Sequence, residues 1–358
     1  MIAPSPGYRV AVVGATGAVG TQLLSILEQR KFPVSELIPF ASKRSEGKSV
    51  VFCGKNYLCR TLAQGCFEEV DFAFFDASDE ISKEWVLQAA GSGAWVIDNS
   101  AVFRMDSDIP LVVPEVNGYL IDSRCRHEAQ ATGRSRIFSG PNCSTVQMVA
   151  VLKPIHDQWN IRRVVVSTYQ STSGAGTEAV RELSDQTRAL LNGSYMSPSI
   201  FQHQIAFNCI PHIGGFRDDG YTSEEHKLMA ETRKILGLPE LKISATAIRV
   251  PTLSCHAESV NVECESAFEL LDVTSALRRQ DGVLVQDDPA ANLYPMGMAG
   301  PESPIESASG KDGVYVGRVR RDPSVENGLN LWVVSDNLRK GAALNAIQIG
   351  ERIISNLQ

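Results

Sequence analysis

Residues 139–145 read SGPNCST and run directly into the apolar stretch VQMVAVL. A Gly-Pro turn, an Asn and two hydroxyl residues ahead of such a run form a helix entry, with Asn142 as a candidate N-cap. That setting puts the Cys143 thiol at the positive end of a helix dipole, where the thiolate is favoured. Backbone N–H groups of the same first turn can hold an oxyanion. The other cysteines, at 53, 59, 66, 125, 209, 255 and 264, show neither a C-x-x-C pair nor a zinc spacing with histidine. They read as small hydrophobes of a reducing compartment.

A second chemical feature lies at the N-terminus, where Gly14-Ala-Thr-Gly17-Ala-Val-Gly20 follows the apolar segment YRVAVV. Glycines between a strand and a helix admit a pyrophosphate to the helix N-terminus, so the segment predicts a dinucleotide site. The next strand signal ends in FASKRSEGK, with Ser42, Lys43, Arg44 and Ser45 where an NAD enzyme carries an acid. Those residues suit a ribose 2′-phosphate and favour NADP. The EGKS stretch is no triphosphate loop, because position 42 is Ser and not Gly. None of the eight tyrosines has a Lys four residues on, which removes the short-chain reductase pattern.

A nicotinamide cofactor combined with an activated thiol defines a reaction class. The thiolate adds to an aldehyde, hydride leaves the adduct, and phosphate or water releases the thioacyl enzyme; in reverse an acyl phosphate is reduced. Such chemistry needs an acid/base and anion clamps. His256 follows a strand signal, but 127, 156, 203, 212 and 226 are also His, and the sequence alone leaves all six as candidates. Arg104, Lys227 and Arg249 are cations in suggestive places. Arg249 stands inside the apolar run TAIRVP, and a charge on a buried strand needs a partner or a ligand.

These residues must be positioned by elements that the hydrophobic pattern makes visible. Apolar runs ending near 14, 42, 78 and 100, with a helical pattern over 18–30, predict a doubly wound parallel sheet. A helix over 144–159 follows. The stretches IRRVVVSTYQST, ISATAIRVP, HAESVNVEC, GVYVGRVRRD and LNLWVVSDN then alternate apolar and polar residues, as in a sheet with one buried face. A final helix over 341–357 is expected to pack back on the first domain, and 122–135 and 298–313 read as surface loops.

Composition sets the limits. The chain has 358 residues, 43% of them hydrophobic, enough for two cores, and 34 Lys and Arg against 41 Asp and Glu give a net charge of −7. That balance disfavours nucleic acid and anionic membranes as partners. With no signal-peptide core and no apolar run near membrane-spanning length, a cytoplasmic protein is expected, and no metal site.

The segments GATGAVG, SKRSEGK, NSAVFRMDSDIPLVVPEVN, GPNCST, YQSTSGAG, IRVPTLSCHAES, VGRVRRD and SDNLRKGAALNAIQIGE together resemble the aspartate-semialdehyde dehydrogenase family over nearly the full length. The N-acetyl-glutamyl-phosphate reductases are similar in logic but differ around the thiol. The resemblance implies a Rossmann-like NADP-binding domain over 1–142, completed by 338–358, and an α+β catalytic and dimerisation domain of the glyceraldehyde-3-phosphate dehydrogenase-like type over 143–337. It implies reduction of β-aspartyl phosphate to the semialdehyde with NADPH, in lysine, threonine and methionine synthesis, by a homodimer or homotetramer.

Position by position, the resemblance makes Cys143 the nucleophile, His256 the acid/base and Gln170 the residue that orients the acyl group. Arg249 would take the substrate α-carboxylate and Glu224 its ammonium, while Arg104, Asn142 and Lys227 would hold phosphate. Gly14, Thr16, Gly17, Ala18, Val19, Ser42, Arg44 and Ser45 would bind NADP(H), with Ser173, Gly174 and Asn337 beside the nicotinamide. Cys255 departs from the expected pattern by setting a second thiol next to His256. The rival readings are a catalytically idle NADP sensor, and a cysteine hydrolase, which would leave Gly14 to Gly20 without a purpose.

Overall fold

The computed structural model describes residues 7–126 and 133–358. The chain divides into two compact units, one made of the residues up to Pro141 together with Ala342–Gln358, the other of Asn142–Gly341. In chain order the first contains β1 (Tyr8–Val13), α1 (Ala18–Gln29), β2 (Val34–Phe40), β3 (Ser49–Phe52), β4 (Lys55–Leu58), β5 (Phe72–Phe75) and α2 (Asp79–Gly91). It continues with β6 (Trp95–Asp98), α3 (Pro114–Asn117), α4 (Tyr119–Cys125) and β7 (Ile137–Ser139). The second holds α5 (Cys143–Trp159), β8 (Ile161–Gln170), α6 (Thr177–Leu191), α7 (Ser223–Leu236), β9 (Lys242–Arg249) and β10 (His256–Cys264). After α8 (Leu270–Arg279), β11 (Val283–Val285), β12 (Val314–Asp322) and β13 (Gly328–Ser335), α9 (Leu344–Leu357) returns to the first unit.

Five strands of the first unit form a wholly parallel sheet in the order β2-β1-β5-β6-β7. Its central strands are buried, β5 over Phe72–Phe75 and β1 from Val10 to Val13, because both faces are covered, as the expected doubly wound sheet requires. On one face Leu23 and Leu27 of α1 meet Ile347 and Ile353 of α9 over Phe72 and Phe74. On the other, Val86 and Ala89 of α2 cover Phe75 and Val96. The C-terminal helix is therefore part of this core. It is held at its rim by a bidentate pair from Arg352 to Asp122 at 2.7 and 2.6 Å, with Asn356 adding a third bond at 3.0 Å.

Two expectations need correction here. Asp122–Cys125 lie in α4 and not in a surface loop, because Asp122 is fastened to α9 and Cys125 is buried in the core. Residues 133–136 form a 3-10 turn, and 127–132 lie outside the described residues. The last helix is regular from Leu344, preceded by a wider π turn over Arg339–Ala343. The β3-β4 hairpin was not anticipated. Its two-residue turn, Cys53 and Gly54, has φ of 47° and 71°, both positive, as a tight hairpin demands.

The second unit is a mixed six-stranded sheet in the order β11-β12-β13-β10-β8-β9. Burial alternates strictly along β10, which sends His256, Glu258, Val260 and Val262 to one face. That face carries α5, α7 and α8 and a core of aliphatic side chains. The opposite face holds the Tyr169 and Trp332 rings 5.5 Å apart and an open cavity of about 790 Å³. Parallel pairing sets Gln170 beside Arg249, and antiparallel pairing sets His256 beside both Gln170 and Ser335. One transverse row of the sheet thus reads Arg249, Gln170, His256, Ser335.

Arg352 holds the Asp122 carboxyl below the usual carboxylate range. Since the folded value is depressed, this contribution exists above the unfolded value and fades as pH falls through the folded one. Asp122→Ala is expected to lower unfolding free energy by about 1–2 kcal/mol at pH 7, a charged hydrogen-bond pair discounted for partial exposure. Urea titration at pH 7 and pH 3 should show the difference shrinking at the lower pH; a constant difference would mean the carboxylate charge is not involved.

Candidate active site

The opening of α5 is built by side chains of α7. Asn142 caps α5, its Oδ1 accepting from the N–H of Ser144 at 3.0 Å and of Thr145 at 3.4 Å. Its own backbone N–H donates to Glu231 at 2.6 Å and its Nδ2 to Glu224 at 2.7 Å. Helix α7 can present both acids because it is itself well started: Thr222 and Glu225 form a reciprocal capping box, and Gly237 closes the other end with φ of 69°. Cys143 is then the first helical residue, half-buried. Gly341 packs so closely on it that a Cβ there would stand 2.9 Å from the Cys143 Cβ.

Opposite stands the transverse row. The His256 ring is wholly buried, and its Nδ1 accepts from the Ser171 N–H at 3.1 Å with the Ser171 hydroxyl at 3.2 Å. Neutral imidazole so bound carries its proton on Nε2, which has no protein partner. Burial first, and the Arg249 charge second, push His256 down to about 3, so the ring is neutral at physiological pH. Gly174 stands where a Cβ would come 3.0 Å from His256 Nε2 and from Arg249 Nη1, and its bare backbone keeps that edge open. Asn337 Oδ1 accepts from Ser171, Ser173 and the Cys255 N–H at 3.2, 3.0 and 3.1 Å, fixing the loop that positions His256.

Arg249 is buried and donates to the Ser171 carbonyl at 2.6 Å. Burial lowers its pKa, while the neighbouring Cys143 and Glu224 act in the opposite sense. Gln170 donates to Glu224 at 3.3 Å, and the partly exposed Lys227 lies 3.6 Å from the same carboxylate. Cys143, Asn142, Gln170, Glu224, Lys227, Arg249 and His256 are thereby brought together in one unit, with Ser173, Gly174 and Asn337 beside them. Arg104 belongs to the first unit, where it donates to the Asn99 carbonyl at 2.6 Å.

Among the remaining histidines, His156 receives the Ile161 N–H, His226 pairs with Asp219 at 2.9 Å, and His212 stacks on Phe216. His203 is exposed, and His127 lies outside the described residues. Cys255 is a buried thiol pushed up to about 12 by burial. No cluster of metal-ligating side chains occurs among the described residues.

In the first unit Gly14 has φ of 91°, and a Cβ at Gly14 or Gly20 would overlap backbone carbonyls. These glycines leave a cradle at the start of α1, where Ala18 and Val19 form the first turn, over a cavity of about 680 Å³. Thr16, Gly17, Ser42 and Lys43 line it. Arg44 is exposed and Ser45 is buried in the same short turn, and neither lines the cavity.

Both units match the semialdehyde dehydrogenases: the NAD binding domain model over residues 9–124 and the dimerisation domain model over residues 152–340. An aspartate-semialdehyde dehydrogenase of Aquifex aeolicus is 48% identical over 97% of this chain and 98% of its own. The chain belongs to the aspartate-semialdehyde dehydrogenase family. A Bacillus subtilis aspartate-semialdehyde dehydrogenase is 45% identical over 97% of each chain. The crystal structure of aspartate semialdehyde dehydrogenase II from Vibrio cholerae, complexed with ASA, superposes with a TM-score of 0.89 at 44% identity over 98% of this chain and 99% of that one. The enzyme of Candida albicans, solved with NADP, shares the fold with a TM-score of 0.72 at 23% identity over 98% and 99% of the two chains.

Glu231, which holds Asn142, Ser171, which holds His256, and Glu258 escaped sequence reasoning. Glu258 is fully buried two residues beyond His256 on the same face, beside Gln147 of α5, whose Oε1 accepts from Ser335 at 2.6 Å. The signal was present: an acid at the inward parity of HAESVNVEC. Burial holds this carboxyl well above the carboxylate range, offset in part by Gln147. With the folded value raised, stability is fully present below the unfolded value and falls as pH rises. Glu258→Gln should match the wild type near pH 4 and gain on it by about 1.4 kcal/mol per pH unit above that, until the native carboxyl ionises. Thermal melts from pH 4 to 8 that run parallel for the two proteins would show the carboxyl ionised in the native state.

Proposed function

We propose that the chain reduces aspartyl phosphate to aspartate semialdehyde and phosphate with NADPH, through a thioacyl enzyme on Cys143. The observation that carries this reading is the juxtaposition of the capped α5 entry, with its thiol acting on Arg249, and the row in which Gln170 separates Arg249 from His256. The glycine turn and its cavity fit a dinucleotide, since Gly14, Thr16 and Gly17 line the cavity at the start of α1 and the bare α carbons at 14 and 20 let the turn close against the Asp76 and Gly14 carbonyls. The residues that would hold it are Gly14, Thr16, Gly17, Ala18 and Val19, with Ser42, Lys43, Arg44 and Ser45 toward the 2′-phosphate and Ser173, Gly174 and Asn337 beside the nicotinamide. When bound, the cofactor supplies the hydride that reduces the thioacyl carbon.

The chain's own residues do the rest. Cys143 thiolate attacks the acyl carbon and forms the C–S bond as the C–O bond to phosphate breaks; once that carbon is reduced the C–S bond breaks in turn, releasing the semialdehyde and returning the thiolate. His256 holds its Nε2 proton against the oxyanion. Gln170 orients the acyl group. The leaving phosphate is taken by Lys227, Asn142 and Arg104. Arg249 grips the α-carboxylate in a fork and Glu224 receives the ammonium, a pairing that suits a free amino acid and not an N-acetylated one. The working assembly is a homodimer or homotetramer in the cytoplasm; among the described residues no helix is long and apolar enough to cross a membrane.

Cys143→Ala is expected to abolish turnover and leave NADPH binding nearly unchanged. Arg249→Lys should be severe, because an ammonium cannot reproduce two parallel N–H bonds to a carboxylate, whereas Lys227→Arg should chiefly raise the Michaelis constant for phosphate. Varying aspartate semialdehyde and phosphate separately tests both, and interchanged effects would exchange the two anion sites.

Lys43 and Arg44 divide the other site. Lys43→Ala and Arg44→Ala should each weaken NADPH while changing NADH little, by about 1.5–3 kcal/mol for a lost charge-assisted contact. Fluorescence titration would place the 2′-phosphate at whichever residue shows the loss. Equal losses for NADPH and NADH would assign that residue a purely structural part.

A further inference from the structure

An acid stands in the proposed pyrophosphate cradle. The chain leaves β5 at Asp76, whose N–H donates to the Val13 carbonyl at 2.9 Å and whose carbonyl abuts Gly14. Its carboxyl turns to the cavity side, with Oδ2 4.0 Å from the point a Gly17 Cβ would occupy, and it lines the cavity of about 680 Å³ together with Gly14, Thr16 and Gly17. Asn99, just beyond β6, is the polar side chain that acts on it. The charged groups about it are few. Asp98 of β6 adds repulsion, Lys43 and Glu84 line the same cavity, and residues 14–21 of the β1-α1 turn carry no titratable side chain. Burial, reinforced by Asp98 and opposed by Asn99, raises the carboxyl to about 6.

An ionised Asp76 carboxylate and a pyrophosphate bound at the start of α1 would repel each other, since both place negative charge at the same end of the cavity. We propose that Asp76 takes up a proton from solvent as NADP(H) binds and presents its O–H to a pyrophosphate oxygen, so that the cofactor binds more tightly as pH falls. This rests on the dinucleotide reading of the cradle. In the unliganded enzyme the carboxyl ionises as pH rises past its own value, and from there binding must work against a proton that has already left.

NADPH is titrated by fluorescence into the full-length protein from pH 5.5 to 9, for wild type, Asp76→Asn and Asp76→Ser. NADH runs in parallel, because the 2′-phosphate itself titrates near pH 6. The wild-type dissociation constant should climb relative to Asp76→Asn by up to about tenfold per pH unit above 6, with NADPH and NADH alike. Calorimetry in buffers of different ionisation heat should find up to about one more proton taken up by wild type than by either variant at pH 7.5. Parallel pH profiles for wild type and both variants would overturn the proposal. So would variants that bind more weakly at every pH, the behaviour of an ionised Asp76 accepting a ribose hydroxyl. A wild-type protein that binds neither cofactor at any pH would sink the dinucleotide reading itself, a separate outcome.

Discussion

The centre depends on how the first turn of α5 is tied down. A helix start exposes N–H groups that want acceptors, and here Asn142 satisfies two of them while two buried glutamates of α7 grip Asn142 in turn. Were that grip absent, Cys143 would sit on a fraying end, and a nucleophile misplaced by an ångström loses much of its advantage. Glu224 does two things at once. It fixes the cap, and it faces Gln170, Lys227 and Arg249, so the geometry of the thiol and the charge balance of the pocket are set by one carboxylate.

Charge in this unit is arranged with little slack. Arg249 is buried at the end of β9, where it donates to a main-chain carbonyl and feels the nearby Cys143 and Glu224. That same positive charge, together with burial, keeps His256 neutral. An imidazole that cannot readily become cationic is suited to hold a proton against a developing oxyanion without pairing with the thiolate before substrate arrives. The Ser171 N–H at Nδ1 settles which nitrogen does so.

Much of this was legible in the sequence, and the reasons differ by residue. GPNCST announced a capped helix because its residue types have few other uses at a turn, and continuous apolar runs announced a parallel sheet because both its faces are covered. The register that places Gln170 between Arg249 and His256 was not legible, since strand pairing is a long-range choice with no local mark. That Glu231 and Glu224 hold Asn142 was invisible for the same reason, because they stand 89 and 82 positions further along the chain. The hairpin turn at Cys53 and Gly54 was masked by its first residue, since a cysteine is seldom found at positive φ, and the helical start of 122–135 by its polar composition. Glu258 was missed because a lone acid in an alternating strand is usually assigned to the solvent side, whereas here its parity with His256 sends it inward.

The path of the chain has a consequence for how the protein comes to be made. Ile347 and Ile353 of α9 complete the core over Phe72 and Phe74, so the first unit lacks one of its walls until the last residues have been synthesised. The second unit is encoded entirely between, and its two ends meet where Gly341 packs on Cys143. On a ribosome the inserted unit has everything it needs while α9 is still in the exit tunnel, and the flanking unit must wait with an apolar sheet face uncovered. The order of completion is therefore the reverse of the order of translation, and a chain cut short before α9 would carry a finished thiol centre and a first unit that cannot close.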